Sequence, residues 1–199
     1  MHGKANRRVG AEYYAPCFTP DMLDQVSNAR PGDLLFLALP VSENWRSLVD
    51  TNKTASVFVG PNPDPHVVDV RHSDRSISGR VHWAKDRPVF RKGMASKARS
   101  ALYGKMVSLP TTAPYLDALH ACFVQHHPDA EAWVPGSRKS PHVAQWVRFT
   151  PHRIYYVGGF GDEHYIGDLD MDMYRKTTEQ RDGAYYKQAP LFDSFLRIQ

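Results

Sequence analysis

The sequence predicts an α+β barrel, and three observations predict it. The apolar runs are short and bounded by Pro and Gly, as strands are. Helix-spaced apolar residues are grouped in the middle of the chain instead of alternating with the strands, which argues against a parallel β-α-β sheet. So strand-rich a chain must also manage its sheet edges, and a closed or split barrel removes most of them. Residues 1–199 read as one domain.

The elements follow in order. Asp33 to Leu39 is a continuous apolar run between Pro31-Gly32 and Pro40, the pattern of a strand buried on both faces. Ala55 to Val59 is a second strand, stopped by Gly60-Pro61. Ser76 to Trp83 alternates, with Ile77, Val81 and Trp83 on one face. Ala95 to Met106 and Tyr115 to Gln125 carry helix formers at helical spacing, and Thr111 or Thr112 with Pro114 suits a helix start. Val143 to Phe149, Ile154 to Val157 and Tyr165 to Met173 read as strands. Lys176 to Gly183 is polar and reads as a loop, and the aromatic tail Tyr185 to Leu196 is expected to pack on the body.

Composition bounds the function. With 42% hydrophobic and 23% charged residues, the chain has globular composition. Its net charge of +4 suits an anionic small ligand. The nearest thing to a basic patch is Arg91, Lys92, Lys97, Arg99 and Lys105, with no helix-turn-helix or zinc-finger pattern beside it, so no specific nucleic-acid binding is expected. No run is long and apolar enough to span a membrane, and Met1 to Gly10 lacks the apolar stretch of a signal peptide. A cytoplasmic location is expected. Cys17 and Cys122 fit either a single bridge or two free buried thiols, and free thiols in a reducing compartment are the expectation.

The sharpest motif is Val157-Gly158-Gly159-Phe160-Gly161 after a strand, where glycines let backbone N–H groups approach an anion or a second chain. It also fits a tight hairpin turn. Three further segments accompany it in order: Glu12 to Cys17 with Gly32 to Leu37, Pro40 to Leu48, and His127-Pro128-Asp129-Ala130. Together they resemble the flavin-binding split-barrel family, which includes the pyridoxamine 5′-phosphate oxidases, the secreted CREG glycoproteins and bacterial haem-utilisation proteins. The resemblance spans roughly Tyr13 to Tyr174 and implies a split β-barrel with helical segments, forming a homodimer. It further implies a cleft for flavin mononucleotide (FMN) between subunits. Relatives carry an extra strand before the first segment. Here either the barrel is incomplete or Met1 to Arg8 supply that strand.

On this resemblance Ser42, Asn44, Arg46 and Ser47 are the expected phosphate ligands, two hydroxyls, an amide and a guanidinium fork. Trp45, with Trp146 and Arg148 from the partner, is expected to flank the ring. The leading function is an FMN-binding, oxidoreductase-like protein acting on a small molecule. No catalytic side chain is assigned, because the sequence holds no nucleophile motif and in flavin enzymes the cofactor carries the redox chemistry. Haem is the alternative cofactor, and a cofactor-free interaction module of the CREG kind is the third reading. Ten scattered histidines, including His120, His126 and His127, give no metal-ligand spacing, so no metal is expected. Asp168, Asp170, Asp172 and Glu179 faintly echo a calcium loop, but Met173 stands where that loop needs glycine, and a solvated strand face explains the alternation.

Overall fold

The computed structural model describes residues 9–50, 54–60, 97–159, 164–179 and 194–198. Its strands are β1 (Val9–Ala11), β2 (Tyr14–Ala15), β3 (Leu34–Ala38), β4 (Thr54–Val59), β5 (Arg99–Ser108), β6 (Gln145–Val157), β7 (Ile166–Asp168) and β8 (Ser194–Ile198). Its helices are α1 (Pro20–Leu23), α2 (Glu43–Asp50), α3 (Leu116–His126) and α4 (Met171–Glu179), with a 3-10 turn over Pro128–Ala132.

One antiparallel sheet runs in the order β1-β8-β4-β5-β6-β3-β2, and β7 pairs with β6. The two edge strands are β1 and β2, yet only Glu12 and Tyr13 separate them in the chain. Two residues reach about 7 Å, whereas seven hydrogen-bonded strands laid flat span roughly 28 Å. The sheet must therefore curl until its edges meet. Among the described residues the chain, and not a hydrogen-bonded ladder, crosses the seam, which leaves the barrel split.

Alternation along the strands sorts side chains into two cores. Phe36, Val57, Leu102, Met106, Phe149 and Ile154 fill the barrel, joined by Trp45 and Leu48 from α2. Leu35, Leu37 and Trp146 point to the other face, where they meet Leu119 and Phe123 of α3 with Met22 and Cys17. All five residues of β3 are consequently buried, as its unbroken apolar run predicts. The expected strand at 55–59 and helix at 115–125 are β4 and α3. The two strands expected at 143–149 and 154–157 are halves of one long strand, β6.

Three expectations are corrected. The helix expected over Ala95 to Met106 is strand β5, hydrogen-bonded to β4 on one side and β6 on the other. Leu102 and Met106 point inward while Tyr103, Lys105 and Val107 are partly or fully exposed, so pairing on both edges overrides the helix formers. Gly104 is required there, since a Cβ would lie 2.5 Å from the Thr150 carbonyl oxygen and 2.6 Å from the Phe149 ring. The strand expected over Tyr165 to Met173 ends at Asp168, and Met171–Glu179 is helix α4. The Asp170 carboxylate accepts from the Met173 amide at 2.8 Å, a helix-capping contact that the alternating aspartates conceal. The helix takes in Lys176 to Glu179, which were expected to begin a loop.

Third, Cys17 and Cys122 form a disulfide instead of remaining free thiols. The outer core brings the chain after β2 against α3, placing the two Cα atoms 5.8 Å apart across 105 residues of sequence. The tail is represented by β8, which pairs with β4 and β1. The strand expected at 76–83, Met1 to Arg8, and Phe160-Gly161 of the glycine motif lie outside the described residues.

Closing so long a loop restricts the unfolded chain. Reduction, or Cys122→Ser, is expected to lower stability by about 2–5 kcal/mol, measured by urea unfolding with and without reductant; identical curves would exclude a bridge in the folded protein. Burial pushes the Tyr14 hydroxyl up from 10.0 to about 12. The unfolded phenol ionises first, so this stabilising contribution is complete below pH 10 and is lost as pH rises toward 12. Tyr14→Phe should remove that alkaline loss in unfolding curves recorded from pH 9 to 12.

Candidate functional site

The segment expected to hold phosphate forms the start of α2. The Ser42 carbonyl accepts the Arg46 amide at 3.1 Å, the first bond of the helix. A helix turns about 100° per residue, so consecutive side chains diverge. Trp45 turns into the barrel, 4% exposed, with its ring edge-on to Phe36 at 6.0 Å. Arg46 faces solvent, and no described residue pairs with its guanidinium. Asn44 is half-buried between them, Ser42 is half-buried before the helix, and Ser47 lies in the next turn. Asn44, Trp45 and Arg46 are thus neighbours in sequence whose side chains diverge.

What α2 brings together is a different group. Glu12, at the seam, accepts from Asn44 Nδ2 at 2.9 Å through one carboxylate oxygen and from Trp45 Nε1 at 2.8 Å through the other. Burial pushes the Glu12 carboxyl up from its ordinary value, against the lowering pull of these two donors. Gly10 allows the approach: a Cβ there would fall 2.1 Å from Asn44 Nδ2. Sequence reasoning missed Glu12, although the resemblance included the segment that begins with it.

Trp146 and Arg148 share one face of β6, as expected, but each has an internal partner. Trp146 is 4% exposed and packs on Phe123 at 4.8 Å and on His120 at 6.5 Å. Arg148 is 6% exposed; one guanidinium nitrogen donates to the Ser27 carbonyl at 2.7 Å and its Nε lies 3.5 Å from the Asp33 carboxylate. Asp33 is fully buried and also accepts from Thr150 Oγ1 at 2.9 Å and the Arg30 amide at 3.1 Å. Arg175 of α4 stands 4.0 Å from its other oxygen and donates to the Pro31 and Pro151 carbonyls. Burial raises the Asp33 carboxyl in spite of the hydroxyl, the amide and both guanidiniums. This cluster ties β3, β6 and α4 together.

His127 is held by internal partners in the same way. His127 donates Nε2–H to the Tyr14 carbonyl at 2.6 Å and packs on Phe123 and Tyr13. Tyr13 in turn donates its hydroxyl to Asp129, which pushes its own ionisation up. The His127-Pro128-Asp129 segment is therefore a clamp on β2. Burial, and then the adjacent His127, push His126 below the ordinary histidine value. Among the described residues no three His, Cys, Asp or Glu side chains are grouped to hold a metal. Asp168 of the calcium-like series is taken by Arg153 at 2.8 Å. An open cavity of about 390 Å³, lined by His120, Glu131, Arg138 and Lys139 among others, includes none of the expected cofactor residues.

Set against known proteins, residues 14–176 match the family described as CREG, beta-barrel. The chain belongs to that family. The split-barrel expectation and the α+β class are correct. Among solved structures, this CREG-family chain is similar to a heme binding protein from Mycobacterium smegmatis, at 15% identity and a TM-score of 0.48. The match covers 84% of this chain and 55% of that one, so the chain spans about half that protein's length. A second structure, at 13% identity and a TM-score of 0.44, is covered over 88% of its length. No curated protein matches. Among the described residues no helix is long and apolar enough to cross a membrane.

Removing Asp33 would leave the buried Arg148 charge without its counterion. Asp33→Ala should cost about 3–5 kcal/mol in urea unfolding. A loss of about 0–1 kcal/mol, as for an exposed pair, would show that this cluster does not hold the strands together.

Proposed function

We propose that this CREG-family chain is a cofactor-free interaction module that works as a homodimer, and not an FMN-dependent oxidoreductase. One observation carries the reading. Trp45, Trp146 and Arg148, the side chains expected to flank a flavin ring, are each no more than 6% exposed and committed to internal partners. As placed, they do not fit an FMN ring. His127 offers haem no free Nε2, since it donates that N–H to the Tyr14 carbonyl.

The exposed face of the sheet supports the dimer. Phe58, Ala101 and Tyr155 lie in one row across β4, β5 and β6, with Phe58 and Tyr155 about two-fifths exposed. Exposed aromatics on an outer sheet face suit burial against a second copy. The disulfide supports an oxidising compartment over the cytoplasm expected from the sequence.

A second reading, an FMN-binding oxidoreductase-like protein acting on a small molecule, is favoured by one feature. Arg46 is exposed beside Ser42 and offers a guanidinium to a phosphate. An absorbance scan after incubation with FMN or haemin and desalting separates the two. The cofactor-free reading expects neither a flavin band nor a Soret band, with sedimentation at twice the 22.6 kDa chain mass. A retained flavin band would overturn it in favour of the oxidoreductase, and a Soret band in favour of haem handling.

A further inference from the structure

We propose that Glu12 is a built-in ligand: its carboxylate fills, from within the chain, an oxyanion site whose donors are Asn44 and Trp45. The inference rests on the cofactor-free reading above and names what closes the site.

The geometry is that of a bound carboxylate. The two Glu12 oxygens accept from the Asn44 amide at 2.9 Å and the Trp45 indole at 2.8 Å. An indole N–H only donates, so this buried donor needs an acceptor. The two donors are adjacent residues of one helix, and the indole is fixed by its packing on Phe36. They keep their spacing whether or not Glu12 is there. Glu12 follows β1, a three-residue strand that pairs with β8 among the described residues, and lies just outside that ladder. Gly10 packs its bare backbone against Asn44, so the strand and the carboxylate approach the same side chain together.

A rigid donor pair and an acceptor carried on an edge strand make an exchangeable site. A small carboxylate, or the phosphoryl group of a larger ligand, presents the same two oxygens. Such a ligand can bind only where Glu12 is removed or β1 has lifted off.

Chemical rescue of E12A in the full chain tests this. The variant should unfold at lower temperature than the wild type. Sodium formate, which fits the space of the lost carboxyl, should raise its Tm saturably above an equal concentration of sodium chloride. Inorganic phosphate added in the same way asks whether the pair also accepts a phosphoryl group. Wild type should show no such shift, and adding Asn44→Ala to E12A should abolish the formate response. If E12A does not fold in chloride, refolding yield in formate is the equivalent reading. An E12A chain that gains nothing from formate or phosphate, in Tm or in yield, overturns the inference. That result would leave the cofactor-free reading standing, whereas FMN retained by the wild type would overturn the reading itself.

Discussion

The structure depends on how the chain crosses the seam of its barrel. Between edge strands β1 and β2 there are only two residues, and the six residues Glu12 to Cys17 are tied at four points. Glu12 bonds Asn44 and Trp45 of α2, Tyr13 bonds Asp129, the Tyr14 carbonyl takes His127, and Cys17 is bonded to Cys122. A sheet of short strands has exposed edges, and each edge invites pairing with another chain. Here the edges are brought together by chain length and then fixed by side chains. The outer core between β3, β6 and α3 can form only because this segment presses Cys17 and its neighbours against the helix.

That arrangement explains why Trp45, Trp146 and Arg148 are so little exposed. The curl turns α2 inward, so Trp45 becomes part of the barrel filling and its indole N–H must find an acceptor inside. On the other face, α3 covers Trp146, and the loop before β3 sets Asp33 beside Arg148. These three side chains help to close the fold on itself. Glu12 takes two donors at hydrogen-bond distance, and the buried Asp33 carboxylate lies between two guanidiniums at 3.5 and 4.0 Å.

Much of the fold was legible in the sequence. The unbroken apolar run at 34–38 marks the strand with a core on each face, and Pro114 with Leu119 and Phe123 marks α3. β5 was not legible, because its strand character comes from two pairing partners and not from composition. Nor was α4, where aspartates at every second position mimic a strand while Asp170 starts a helix. The site was half legible. Ser42 to Ser47 stand out by residue type, but the group that meets Asn44 is 32 positions away in another element, and no local period announces it. The Asp33–Arg148 contact is hidden for the same reason.

The central claim is that the chain satisfies its own donor pair. The most direct measurement is a ¹H–¹⁵N spectrum of the indole N–H groups, assigned through Trp45→Phe, with and without FMN. The account predicts a Trp45 indole proton that exchanges slowly with solvent and keeps its shift when FMN is added. A Trp45 signal that exchanges rapidly, or that moves on titration with FMN, would contradict it.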